Sequence, residues 1–377
     1  MATETTPRYL PDLDGLRAVA VAAVAYSHWL PAWQFGVPLG AGVHLFFVLS
    51  GMLITRILLD LRERPDRPHA VGRFYVRRLL RLWPAFYVVL LAAWLADVPL
   101  ARATWAWHAA YLSNAFIAGQ GQWQGHFSHF WSLAVEQQFY LMWPWLVVWT
   151  PARALPLLFV ATVLLGPLAR GLVAMAGTTE SFWALVPGGS ADSLGVGALI
   201  AWLAWVGDRP RPDSERAVST GVGASRFGAL AAATALALWL TLAGAEVALE
   251  HSLPPAVAVW RQTLQAVVFG WIVWRAVAGF SGPVGRVLRH PALLVIGRIS
   301  YGIYLVHPFA PNVLDAALRR VGFPPSEAFG PGPRAAAAWL TSLGLATVLW
   351  HLVEAPWQRL KPPTDSRDER RVAAAGA

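Results

Sequence analysis

There is no cysteine in this chain, and Lys361 is its single lysine. The first absence excludes disulfides, thiolate metal sites and any acyl-enzyme on sulfur. The second means that arginine carries nearly all of the formal charge of +9. Charge of either sign is scarce, at 14% of residues, against about 25% in soluble domains. No G-x-x-x-x-G-K-[ST] loop is present to cradle nucleotide phosphates, and no H-E-x-x-H pair to hold zinc. No internal repeat is visible, so a transporter built from inverted halves gains no support.

What fills the 377 residues instead is apolar: 56% are hydrophobic and 21 are tryptophan. Apolar stretches of about 20 residues recur, the length a helix needs to cross about 30 Å of hydrocarbon. Hydropathy places ten spans near 13–32, 40–61, 79–97, 128–149, 154–175, 189–207, 226–245, 256–278, 291–311 and 335–356. The reading is all-α: one polytopic transmembrane helix bundle over 1–360, then a disordered cytoplasmic tail over 361–377. The first span follows Asp12 and Asp14 without a basic lead, so no cleavable signal peptide is expected.

With the N-terminus in the cytoplasm, 20 Lys and Arg fall on that side, and four (Arg102, Arg319, Arg320, Arg334) on the other. The positive-inside rule then predicts both termini in the cytoplasm. It accounts for the net charge without nucleic acid as a partner, and the expected location is a cell membrane, crossed many times. Segment 98–127 is expected to be a long external loop. Its Trp105, Trp107 and Trp123 have two readings, as interfacial anchors or as a stacking surface for a ring-bearing acceptor.

Titratable groups inside spans cost at least about 2.5–3.5 kcal/mol each, so they face a cavity or a partner. In "DGLRAVAVAAVAYSHW" (Asp14 to Trp29), Arg17 and His28 are eleven residues apart. Eleven steps of about 100° fall within about 20° of three turns, so both side chains share a face, about 16 Å apart. Depth counting puts Glu136 of "HFWSLAVEQQFYLMW" level with His28, which predicts a His–carboxylate pair across two helices. Such a pair is either a proton acceptor near neutral pH or a polar lock between helices. In "GRFYVRRLLRLWPAFY", Arg77, Arg78 and Arg81 stand at the cytoplasmic mouth of the third span, Arg78 and Arg81 sharing a face at i, i+3. Guanidinium forks suit the phosphates of a coenzyme; lipid headgroups are the alternative. Ser50 and Ser132 would act as nucleophiles only beside a base, and helix packing explains them better.

Six stretches, in order, resemble the acyltransferase 3 family of integral membrane O-acyltransferases: "LDGLRAVAVAAVAYSH", "GVHLFFVLSGMLIT", "FYVRRLLRLWPAFY", "HFWSLAVEQQFYLMWP", "GRISYGIYLVHP" and "VEAPW". His44 stands where that family commonly has an acidic residue. The resemblance implies that Arg17 and His28 are the essential Arg/His pair, and that Glu136, Trp131 and Ser132 form part of the site. It also implies that Arg78 and Arg81, with Arg77 beside them, bind the donor. Tyr301, Tyr304 and His307 match the pattern as substrate-binding candidates, with helix–helix hydrogen bonding as the alternative.

By the same likeness, the donor is acetyl-CoA or another short acyl-CoA, with no metal. The acceptor is a hydroxyl on a glycan, a lipid-linked sugar or a macrolide-like metabolite. The chain ends about twenty residues past the tenth span, so a stand-alone form without an extracytoplasmic hydrolase-like domain is expected. Direct transfer assisted by His28 and a covalent acyl-histidine both stay open. The rival classes are a transporter or channel whose charges line a permeation path, and a purely structural membrane scaffold.

Overall fold

The computed structural model describes residues 9–33, 38–207, 229–230, 232–242 and 254–362. Among them there is helix and turn but no strand. The physical reason is that hydrocarbon offers no partner to a backbone N–H or C=O, and a helix satisfies both within one segment. The principal helices are α1 (Pro11–Trp29), α2 (Gly42–Leu61), α3 (Arg67–Leu95), α4 (Ala101–Ala109), α5 (Ser113–Gln120), α6 (Phe130–Trp149), α7 (Leu155–Met175) and α8 (Ala191–Gly207). After these come α9 (Ala232–Leu242), α10 (Pro255–Ala278), α11 (Gly282–Leu288), α12 (Pro291–Arg298), α13 (Ser300–Val306), α14 (Ala310–Arg320), α15 (Pro331–Leu349) and α16 (Ala355–Arg359).

Among the described residues, five segments are long and apolar enough to cross a membrane: Leu39–Leu61, Arg67–Leu95, Ala152–Met175, Pro255–Ala278 and Pro331–Arg359. Helices α1, α6 and α8 coincide with expected spans but are not among those five. Of the expected span 226–245, residues 229–230 and 232–242 are described; the expected tail lies outside the described residues beyond Pro362.

Three expectations are corrected. The segment 98–127 is no open loop: α4 and α5 fold within it. The Asn114–Gln138 pair docks them on α6 through bonds of 2.9 and 3.2 Å. The expected span 79–97 starts too late, because α3 begins at Arg67 with Pro68 in its first turn, where a missing N–H costs nothing. The expected span 291–311 is broken into α12, α13 and the start of α14, and the break after α13 falls where Pro308 and Pro311 cannot donate to an i→i−4 ladder. A π turn, Trp350–Glu354, also precedes Pro356 between α15 and α16.

Packing centres on α2. A Cβ on Gly51 would lie 2.1 Å from the Leu194 carbonyl oxygen, and one on Gly197 would lie 2.1 Å from that of Val48. Only glycine lets α2 and α8 approach this closely, the usual means of helix contact in lipid, where chain and solvent are equally apolar. Trp143 Nε1 donates to Thr55 Oγ1 at 2.8 Å and ties α6 to the other side of α2. The buried Arg170–Asp192 pair, 2.8 Å apart, joins α7 to α8. The N-terminus of α1 is held by Asp12, which accepts from Arg289 Nε at 2.5 Å and from the Phe280 N–H at 2.7 Å.

Candidate active site

Two cavities adjoin inside the bundle, one of about 610 Å³ and one of about 80 Å³, and Val43 and Tyr304 line both. Helix α1 serves each. The face shared by Arg17 and His28 carries Arg17 into the smaller cavity and His28 into the larger one. On α6 the same periodicity sorts residues: Ser132, Glu136 and Tyr140, spaced i, i+4, i+8, all line the smaller cavity, while Trp131, one step of about 100° away, lines the larger.

The charged residues of the smaller cavity are mostly cationic. Arg17, Arg78 and Arg81 line it opposite one carboxylate, Glu136. Glu136 accepts a hydrogen bond from Ser50 Oγ, and the Tyr140 hydroxyl donates to Ser50 at 3.1 Å. Arg78 lies over the rings of Phe74 and Tyr140, 5.7 and 5.5 Å from their centroids. Tyr301 lines the same cavity and donates to the Leu82 carbonyl at 2.9 Å. Arg77 lies outside it, donating to the Pro362 carbonyl at 2.6 Å.

The larger cavity is aromatic: Trp29, Trp123, Trp131 and His126 line it beside His28. The expected pair between His28 and Glu136 does not form. His28 Nδ1 is 3.0 Å from His307 Nε2, and Glu136 faces the other cavity. Depth along two helices matched, but depth does not set the direction in which a side chain leaves its helix. His44 lines neither cavity and sits 3.5 Å from Ser193 Oγ, against α8.

The break after α13 explains the histidine geometry. Pro308 has no N–H for the Tyr304 carbonyl, which accepts from a side chain instead; Pro311 has none for that of His307, which accepts from the Ala310 N–H at 3.4 Å and from a side chain as well. Tyr304 O receives His307 Nδ1 at 2.7 Å, and His307 O receives Trp29 Nε1 at 3.2 Å. Leu305 O receives His129 Nε2 at 3.2 Å and Pro308 O receives His126 Nδ1 at 3.0 Å. A carbonyl only accepts, so His307 Nδ1 carries its proton and neutral His307 Nε2 is an acceptor. His28 must then donate from Nδ1, which leaves Nε2 as its proton-accepting nitrogen. The pattern L-x-H-P-x-x-P, two prolines one turn apart after a histidine, is the sequence signal for this carbonyl array.

Where the two cavities adjoin, the Tyr304 hydroxyl lies 2.5 Å from Ser132 Oγ and 3.2 Å from the His129 carbonyl. Sequence reasoning did not identify the Ser50–Tyr140 support of Glu136, or His129 and Trp29 as neighbours of His307.

The family model described as an acyltransferase domain, Acyl_transf_3, matches residues 10–351, a stretch that holds every residue of both cavities. OatA, a peptidoglycan O-acetyltransferase of Listeria monocytogenes, is 36% identical over 163 residues, 38% of this chain and 25% of that protein. YrhL of Bacillus subtilis, provisionally named a peptidoglycan O-acetyltransferase, is 39% identical over 155 residues, 37% of this chain and 24% of its own length. The chain thus spans about a quarter of these curated relatives. No solved structure is a significant match. Six motifs in order, an all-helical bundle and a family match across nearly the whole described length converge: the chain belongs to the acyltransferase 3 family.

Proposed function

We propose that this protein is a membrane O-acyltransferase that moves a short acyl group from acyl-CoA to a hydroxyl of a glycan. Its arginine-lined end faces the cytoplasm, with both termini on that side. The observation that carries the reading is the pair of adjoining cavities, one lined by guanidiniums and the other by tryptophan rings, with Arg17 and His28 delivered to them by one helix face.

Coenzyme phosphates dock on Arg78 and Arg81, and the thioester arm enters the smaller cavity past Arg17. Its roughly 80 Å³ suits a short acyl chain. The acceptor's sugar ring lies against Trp123 and Trp131 in the larger cavity. His28 Nε2 takes the proton of the acceptor hydroxyl as that oxygen attacks the thioester carbonyl carbon. The C–S bond breaks, the ester forms, and the departing thiolate recovers the proton. His307 holds the imidazole in the reactive tautomer and accepts from Nδ1–H as positive charge develops. The glycan class rests on the relatives named for peptidoglycan O-acetylation, and on stacking faces that fit sugar rings.

Free CoA release measured with a thiol reagent tests this, on a protein that adds no thiol of its own. Purified protein in nanodiscs should release CoA from acetyl-CoA only when a glycan acceptor is present. His28→Ala should lower turnover by about 10²–10⁴ while the protein stays folded and inserted. Near-normal turnover in that variant would remove His28 from the chemistry. CoA release independent of any acceptor would remove the transferase reading.

A further inference from the structure

Lys361 lies just beyond α16, where its Nζ donates to Gln358 Oε1 at 2.9 Å and is folded back against the helix end. The next residue, Pro362, accepts from Arg77 Nη1 at 2.6 Å across 285 positions of sequence. That bond staples the segment after α16 onto the arginine turn of α3. The charged groups close enough to act on Lys361 are Arg81, Arg77, Arg78 and Glu354. Glu354 is buried in the π turn, and its Oε1 has no hydrogen-bond partner among the described residues.

Four cations therefore act on one another around one carboxylate, and two of them, Arg78 and Arg81, also line the smaller cavity. Partial burial, then Arg81, Arg77 and Arg78, bring the Lys361 ammonium down to about 8. Like charges gathered in a half-buried place repel one another, and a bound polyanion relieves that repulsion. Guanidiniums offer forks to phosphate oxygens, and a lysine adds a compact point charge.

We propose that Lys361, held in place by the Arg77–Pro362 bond, is the fourth cation of a phosphate-binding site shared with Arg77, Arg78 and Arg81. Its ligand is a diphosphate-bearing molecule. Identifying that molecule as the acyl donor rests on the acyltransferase reading; the phosphate chemistry does not. An anionic lipid headgroup presents the same chemistry, and the test separates the two sources.

A chain with one lysine makes the test specific. An amine-selective reagent labels Lys361 and the α-amino group alone, and peptide mass spectrometry tells them apart. Full-length protein in phosphatidylcholine nanodiscs should label half-maximally near pH 8, against about 10.4 for an ordinary lysine. CoA and inorganic pyrophosphate should each slow labelling about tenfold or more, whereas pantetheine, which has no phosphate, should not. The bound anion favours the charged amine, so the labelling midpoint moves up, and protection fades at pH values well above it.

If phosphatidylglycerol in the nanodisc protects Lys361 and CoA adds nothing, the phosphate source is lipid. If CoA, pyrophosphate and phosphatidylglycerol all leave the rate unchanged, the site does not exist. Lys361→Gln should raise the KM for acyl-CoA about tenfold with little change in kcat, and Lys361→Arg should recover most of the loss; an unaltered KM in Lys361→Gln overturns the donor assignment. Protection by CoA without acceptor turnover would leave this site standing and end the transferase reading. Turnover without protection would do the reverse.

Discussion

His28 Nδ1 lies 3.0 Å from His307 Nε2, although 279 positions separate the two residues. His307 is in turn fixed by the Tyr304 carbonyl that Pro308 leaves open. In the proposed reaction the pair is a base and its orienting partner, with a second imidazole in the place where a carboxylate is more familiar. His307→Ala should lower kcat about 10- to 100-fold, the worth of one hydrogen bond to a group that becomes charged. The KM for acyl-CoA should hold, because the donor arginines line the other cavity. In His307→Gln the amide oxygen can accept from His28 Nδ1–H, so a large part of the rate should return. Equal losses in the two variants, with no change in the pH–rate profile, would reduce His307 to packing.

Glu136 faces Arg17, Arg78 and Arg81 instead of His28. Glu136→Gln should therefore act on the donor side, changing the KM for acyl-CoA about tenfold and leaving the pH profile of the acceptor step as it is. A profile displaced by that substitution would indicate that the carboxylate and the imidazole communicate after all. Steady-state kinetics with each substrate varied in turn would distinguish the outcomes.

His108 supplies a pH dependence of stability outside the spans. It is fully buried between α4 and α5, with Nε2 3.0 Å from Thr104 Oγ1 and Nδ1 2.8 Å from Ser113 Oγ. Burial lowers its pKa to about 4, against about 6.5 unfolded. Between those values the unfolded segment binds a proton that the folded one refuses, so stability falls as pH drops from about 6.5 toward 4. The loss approaches about 3 kcal/mol at the acid end. Thermal melts across that window should show it, and His108→Gln should flatten the slope. A wild-type melting temperature constant from pH 7 to 4.5 would contradict the assignment.

How far the sequence could be read depended on which property each residue expressed. The Arg17–His28 relationship was legible because both lie on one helix, whose 3.6-residue period fixes their relative direction. The Arg77, Arg78, Arg81 cluster was legible for the same reason, although the helix carrying it begins much earlier than hydropathy indicates, since Arg67 and Arg73 mask its first turns. The partner of His28 was not legible. Choosing between Glu136 and His307 requires the azimuth of one helix against another, and hydropathy constrains depth alone.

From the sequence by itself came the all-helical character, the family and the candidate residues sharing a helix face, because backbone satisfaction in lipid and local helical period are properties of single segments. Tertiary structure alone decided that two cavities exist rather than one, that α13 breaks into a row of carbonyls fixing four ring nitrogens, and that Lys361 returns to the arginines of α3. Each of those depends on where separate helices cross, which close glycine contacts such as Gly51 on Leu194 and Gly197 on Val48 determine.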